Sequence, residues 1–198
     1  MNKIAIDVVL LPPENIMDLA IQINKTEAEK GNSKGELNKV DFFPHLSLAM
    51  GIIKKEDFDK VIEIVRKISN KYQPQKLKLQ KPYYVEGKDG QKSYAIMISK
   101  GYLKKLHKDL MNQLNPFLSF DATSKEIYNQ EEEPDYVNQY KKIGSFDKYN
   151  PHITLRCKEI TQKIPKQIFV AKRLAICHIG ISTTCRKILF ETELKEVR

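Results

Sequence analysis

A five-residue frame, Pro-His-apolar-hydroxyl-apolar, occurs twice in this chain: Pro44-His45-Leu46-Ser47-Leu48 and Pro151-His152-Ile153-Thr154-Leu155. The sequence holds 4 histidines in 198 residues, and two of them occupy that frame, a little over half the chain apart. A short strand alternates its faces, so each frame predicts one histidine and one hydroxyl on a shared side. His45 pairs with Ser47 against Leu46 and Leu48; His152 pairs with Thr154 against Ile153 and Leu155. Imidazole, with an ordinary pKa of about 6.5, can both take and give a proton near neutrality. Two imidazoles suit an in-line displacement at phosphorus. One, neutral, takes a proton from water; the other, charged, gives one to the departing oxygen. The hydroxyls of Ser47 and Thr154 can donate to the non-bridging oxygens as negative charge grows there.

Other side chains could serve the same site. Arg156 continues the alternation from His152 and Thr154, which predicts it on their face and able to reach a phosphate. Phe43 and Tyr136, with Tyr83, Tyr84 and Tyr94, could stack a base, although aromatic residues in strands more often pack. His107 borders a leucine stripe and reads as structural, and His178 could line a groove. No cluster of carboxylates suggests a metal, and the two-imidazole chemistry needs neither metal nor cofactor. A zinc site made of His45, His152 and Cys157 is disfavoured, because the odd separation of 152 and 157 turns Cys157 to the opposite face.

The elements that must position these groups follow from periodicity. Residues 3–11 read as a buried strand and 14–28 as a helix with Ile16, Leu19, Ala20 and Ile23 on one face. Residues 29–40 are polar with glycines and read as a loop. The first motif strand spans about 43–52, and a helix at 55–71 carries Phe58, Val61, Ile62, Val65 and Ile68 as its stripe. Strands at 75–85 and 92–99 flank a turn at Gly87-Lys88-Asp89-Gly90. A helix at 101–117 carries Leu103, Leu106, Leu110 and Leu114. The long polar stretch 119–150 is predicted to hold a short helix at 132–141 and to wall the site. The second motif strand follows, then strands at 173–181 and 186–195. Each half thus reads strand, helix, loop, motif strand, further strand: a degenerate duplication within one domain, residues 1–198.

Composition bounds the rest. No apolar run is long enough to span a membrane. The apolar residues after Lys3 are too few and too interrupted by Asp7 for a signal sequence, so the expected location is cytoplasmic. Three cysteines, Cys157, Cys177 and Cys185, are odd in number and lack paired spacing, which predicts free thiols, with Cys157 as a small core residue. The formal charge of +9 is compatible with a polyanion such as RNA. Most of the excess is lysine spread along the chain, with a mild cluster at Lys71, Lys76, Lys78, Lys81 and Lys88.

The paired His-x-Ser/Thr motifs, one per half and flanked by apolar residues, resemble the 2H phosphoesterase superfamily, which includes the RNA 2′,3′-cyclic phosphodiesterases once called 2′-5′ RNA ligases. Tyr136-Val137-Asn138 ahead of the second motif and the closing pair of strands around Ile179-Gly180 and Cys185-Arg186 are similar to that family as well. Ser47 stands where threonine is commoner. The resemblance implies an α+β fold of two pseudo-symmetric lobes, each an antiparallel sheet with outer helices, around a central groove. It implies a metal-independent phosphodiesterase that hydrolyses 2′,3′-cyclic phosphate ends of RNA or nucleotides, with His152 as base and His45 as acid. The lack of a long apolar run leads to no expected membrane attachment, and no obligate protein partner is inferred. The competing readings are a phosphodiesterase of 2′-5′ or 3′-5′ oligonucleotides and a non-catalytic RNA-binding member of the same fold.

Overall fold

The computed structural model describes residues 2–86, 92–130 and 134–195. The turn expected at Gly87–Gly90, with Lys88, lies outside the described residues, as do the first two residues of the helix expected at 132–141.

The chain forms two four-stranded antiparallel sheets with helices packed on them. Strand β1 (Lys3–Leu11) is followed by helix α1 (Glu14–Glu29) and by β2 (Leu46–Lys54). Helix α2 (Phe58–Lys71) buries Val61, Val65 and Ile68, as its stripe predicts. Strands β3 (Lys76–Glu86) and β4 (Lys92–Ile98) pair antiparallel, and helix α3 (Lys100–Leu114) buries Leu103, Leu106, Leu110 and Leu114. The 119–150 stretch does carry a helix, α4 (Asp135–Ile143), and three short 3-10 turns. Strands β5 (His152–Thr154), β6 (Ile168–Val170), β7 (Arg173–Gly180) and β8 (Thr184–Glu193) complete the fold; β6, only three residues long, is too short to announce itself by periodicity.

The sheets run β2-β1-β7-β8 and β5-β4-β3-β6. Each has its motif strand at one edge, paired with the strand that begins its strand–helix–motif unit. The duplication is therefore real in three dimensions, but the halves of the sequence are not the lobes. Strands β7 and β8, from the second half, complete the sheet of β1 and β2, while β3, from the first half, sits in the sheet of β4 and β5. Residues Ala5, Ile6, Val8, Val9 and Leu10 are fully buried, as befits an inner strand hydrogen-bonded on both sides. None of the described helices is long and apolar enough to cross a membrane.

The cysteine expectation needs correction. Cys177 and Cys185 form a disulfide across the β7–β8 pair, their Cα atoms 5.4 Å apart. A register irregularity after His178 brings Cys185 beside Cys177, and no sequence spacing rule announces it. Cys157 is a free, fully buried core residue, as expected.

Candidate functional site

The two motifs fold alike. From Pro44 to Leu48 and from Pro151 to Leu155, burial alternates in the same order: the prolines and apolar residues are buried, and the histidines and hydroxyls are half-exposed. This is the alternation the frames predict. The histidines are also held alike. His45 Nδ1 lies 2.7 Å from the carbonyl of Phe43, and His152 Nδ1 lies 2.7 Å from the carbonyl of Asn150. A carbonyl can only accept, so in each ring Nδ1 carries hydrogen and donates. In the neutral rings both Nε2 atoms are then proton acceptors.

The two motifs lie against each other. Tyr149, three residues before His152, donates its hydroxyl to the Ser47 carbonyl at 3.0 Å. A positive charge on His152 pushes the pKa of His45 down, so the rings are within Coulomb range. Burial is the larger cause: it holds His45 at about 4 and lowers His152 as well. The carbonyl bonds oppose the shift by favouring the charged rings, but burial wins.

One group of the site was missed by sequence reasoning. Asp7, on β1, is 1% exposed. Its Oδ2 accepts the Ser47 hydroxyl at 2.6 Å and stands 3.8 Å from His45 Nε2. A bulge makes this contact. Val8 pairs with Ala49 and Val9 with Ser47, so Leu48 is the extra residue and Ser47 is re-aimed diagonally towards Asp7. Burial raises the Asp7 carboxyl well above the ordinary carboxylate range, against a smaller opposing effect of the Ser47 hydrogen bond. The sequence signal was present, since a lone carboxylate inside an apolar strand is costly unless it is used.

Thr154 pairs with Ala95 in the register of β4 and β5, so its cross-strand neighbour offers no acceptor side chain. The next strand continues the row with Tyr83, which is 47% exposed. Tyr84 is exposed too, with its ring 5.5 Å from that of half-buried Tyr94.

Arg156 departs from its expected place. Strand β5 ends at Thr154, and Arg156 takes a left-handed backbone conformation, φ 48°. Its buried guanidinium turns away from the strand row to the 34–42 loop, donating to the Lys34 carbonyl at 3.2 Å and standing 5.0 Å from the Phe42 ring. Gly35 makes room for it: a Cβ there would collide with the Arg156 guanidinium. Phe43 packs against a small buried cluster of Val9, Leu11, Cys177 and Cys185, and its amide donates to the Cys185 carbonyl at 3.3 Å. Its carbonyl accepts the hydrogen bond from His45 Nδ1. Tyr136 lines a cavity of about 410 Å³ between the start of α4 and the β7–β8 turn, with Ile127, Ile179 and Thr183. His107 is fully buried, and His178 Nε2 donates to the Glu126 carbonyl at 2.9 Å, away from the paired histidines. Among the described residues, no three His, Cys, Asp or Glu side chains are grouped to hold a metal.

No known family model matches this sequence, and no curated protein matches it either. Solved structures do. The chain is similar to TT0787 of Thermus thermophilus, with a TM-score of 0.61 and 14% identity over 96% of this chain and 98% of that one. It is similar to LigT of E. coli, whose ATP complex gives a TM-score of 0.59 and 14% identity over 99% and 100% of the two chains. A third structure, of a phosphoesterase, gives 0.54 and 13% over 99% and 100%. The chain thus has the two-lobed α+β fold of LigT along nearly its whole length.

Proposed function

We propose that this chain is a 2H-type phosphoesterase that opens 2′,3′-cyclic phosphates on RNA ends or nucleotides, with His45 and His152 as paired acid and base. The observation that carries the reading is the matched tether: each ring donates Nδ1–H to the carbonyl two residues before it, which leaves both Nε2 atoms for proton transfer. Water attacks phosphorus while one Nε2 takes its proton. The P–O bond to the ribose opposite the water breaks, and the other Nε2 gives the departing oxygen a proton. Thr154 supplies its hydroxyl towards the non-bridging oxygens, whereas the Ser47 hydroxyl is held by Asp7 in the free protein. The two imidazoles cover both proton transfers that the step requires.

The neighbours support the substrate class. LigT of E. coli has been crystallised with phosphate, with 3′-AMP and with NADP+. A phosphate and a nucleotide are the pieces that a cyclic-phosphate end presents. Tyr83 lies in the row of Thr154 and Ala95 and is 47% exposed, which supports a role in stacking a base. An RNA substrate implies work in the cytoplasm. The Cys177–Cys185 bond pulls the other way, because cytoplasmic thiols are kept reduced, and thiol counting after alkylation in cells decides between them.

The test is a screen of 2′,3′-cyclic mononucleotides, 2′-5′ and 3′-5′ oligonucleotides and cyclic-phosphate-ended RNA, in EDTA, with wild type and His152→Ala. Hydrolysis of the cyclic substrates by wild type alone is the expected result. Turnover only of linear linkages moves the substrate class, and equal turnover by the variant overturns the mechanism.

A further inference from the structure

The two histidines are tethered alike but do not have like neighbours. His45 Nε2 has a carboxylate oxygen at 3.8 Å, that of Asp7. The pseudo-symmetry of the sheets shows what stands on the other side. Val9 is opposite Ser47 on β1, and Ala95 is opposite Thr154 on β4. Two residues before Val9 is Asp7; two residues before Ala95 is Ser93. The lobe of His152 therefore has no carboxylate at the equivalent place.

An ionisable group in the middle of an inner strand is expensive, and the surroundings of Asp7 do little to offset it. Oδ2 has the Ser47 hydroxyl, while Oδ1 is buried with no hydrogen-bond partner among the described residues. The other titratable groups around it are Tyr136 and Tyr140 of α4 and Tyr149 ahead of β5, all phenols kept neutral by raised pKa values, while the charge of His152 acts on His45. On β7 the facing residue is Cys177, which is disulfide-bonded and does not titrate. Among the described residues no lysine or arginine forms an ion pair with Asp7, so the cation within reach is a protonated imidazole.

We propose that Asp7 is the positioning residue that sets the division of labour: its buried carboxyl, at ion-pair distance from His45 Nε2, keeps one proton on the Asp7–His45 pair, makes that ring the acid and leaves His152 as the base. The proposal rests on the paired-histidine reading above. Burial favours the neutral form of both rings, so two histidines by themselves would leave the site without the proton that the departing oxygen needs. Burial favours the neutral carboxyl too, so the pair retains a proton that an isolated His45 would lose. Before the step the Asp7–His45 pair holds one proton. In the step the water proton goes to His152 Nε2, a P–O bond forms to the water oxygen, and the ribose P–O bond breaks. The ribose oxygen keeps that electron pair and takes the proton from His45 Nε2. The pair is left as neutral imidazole and carboxylate, and exchange with solvent moves a proton from His152 back to it.

The experiment has two arms. In the first, the pH–rate profile on 2′,3′-cyclic AMP and the ring-nitrogen NMR titrations of both histidines are compared in wild type and Asp7→Asn. Removing the carboxyl should move the alkaline limb and the His45 midpoint to lower pH by about one unit or more, the usual effect of an opposite charge nearby, and move His152 much less. A purely structural role would lower the rate at every pH with the limbs fixed, and that result overturns the proposal. The second arm needs wild type only. The carboxyl carbon of Asp7 and the ring of His45 should titrate with a shared midpoint. An Asp7 that titrates alone at about 4, the ordinary carboxyl range, overturns the proposal even if Asp7→Asn does not fold. If wild type turns over no cyclic substrate but the shared midpoint is present, the functional reading fails and the Asp7–His45 pair stands.

Discussion

His107 and Tyr149 lie face to face, ring centroids 3.9 Å apart and planes within 1°. The stack joins the two motifs. His107 Nδ1 donates to the Leu48 carbonyl at 2.6 Å, the carbonyl of the bulged residue, and its Nε2 accepts the Phe146 amide at 2.7 Å. Tyr149 in turn donates to the Ser47 carbonyl. A fully buried imidazole on α3 thus fixes the bulge that aims Ser47 and the segment that leads to His152. Replacing it with alanine leaves a cavity and two unpaired backbone groups. His107→Ala should cost about 3 kcal/mol or more, read as a lower urea midpoint.

Acid should unfold this protein early. Burial holds His107 at about 4 in the fold, against about 6.5 unfolded. The unfolded chain binds more protons between those values, so the stability its neutral ring contributes is complete above about pH 6.5 and is lost as pH falls towards 4. It is worth about 3 kcal/mol by that shift. Asp7 has the opposite sign: its raised pKa makes it a growing burden as pH rises. Urea midpoints should drop steeply between about pH 6.5 and 4.5, and Asp7→Asn should melt higher than wild type above neutrality. A flat wild-type curve over that interval would contradict the shifts.

Under the proposed mechanism each of the paired imidazoles should be worth about 10²–10⁴ in turnover, the usual value of one positioned acid or base. His45→Ala and His152→Ala should each lose that much, and the double variant should lose less than the product. The acid limb of the pH–rate profile should lie below the ordinary imidazole value, because burial lowers His152. Steady-state kinetics of the three variants on a 2′,3′-cyclic nucleotide checks this, and near-full activity of either single variant would exclude the pairing.

The hydroxyls should not be equivalent. Ser47 donates its hydroxyl hydrogen bond to Asp7, whereas Thr154 faces Ala95 across the strands. Thr154→Val should reduce kcat/KM by about 10²–10³, the worth of one donor to a developing oxyanion. Ser47→Ala should cost only about tenfold in rate and should mainly disturb the pH dependence, through Asp7. Equal losses would mean that Ser47 turns to the phosphate in the complex.

The motif strands were legible because alternation is a local property: His45, Ser47, His152 and Thr154 lie on the faces their spacing predicts. The leucine stripe of α3 was legible for the same reason. What escaped depends on partners far along the chain. Asp7 read as a polar interruption of an apolar run, because only the bulge at Leu48 brings Ser47 to it. Arg156 fits the alternation on paper, yet β5 stops at Thr154 and the backbone turns left-handed. Cys177 and Cys185 looked like leftovers of an odd count, since strand register, not spacing, makes them neighbours. Apolar periodicity says that 173–181 and 186–195 are strands, but not which sheet they join.

That last point bears on how the chain acquires its shape. The sheet of β1 and β2, which carries Asp7 and His45, is finished by β7 and β8, the latest of these strands to be synthesised. Until Arg173–Gly180 is made, one edge of β1 has no partner, and the apolar side chains of an inner strand remain exposed. Closing it requires contact between residues as far apart as Leu11 and Arg173, a slow search at high contact order. The nascent first half therefore cannot complete its own lobe, and a chaperone that shields β1 during synthesis would meet a need written into the strand order.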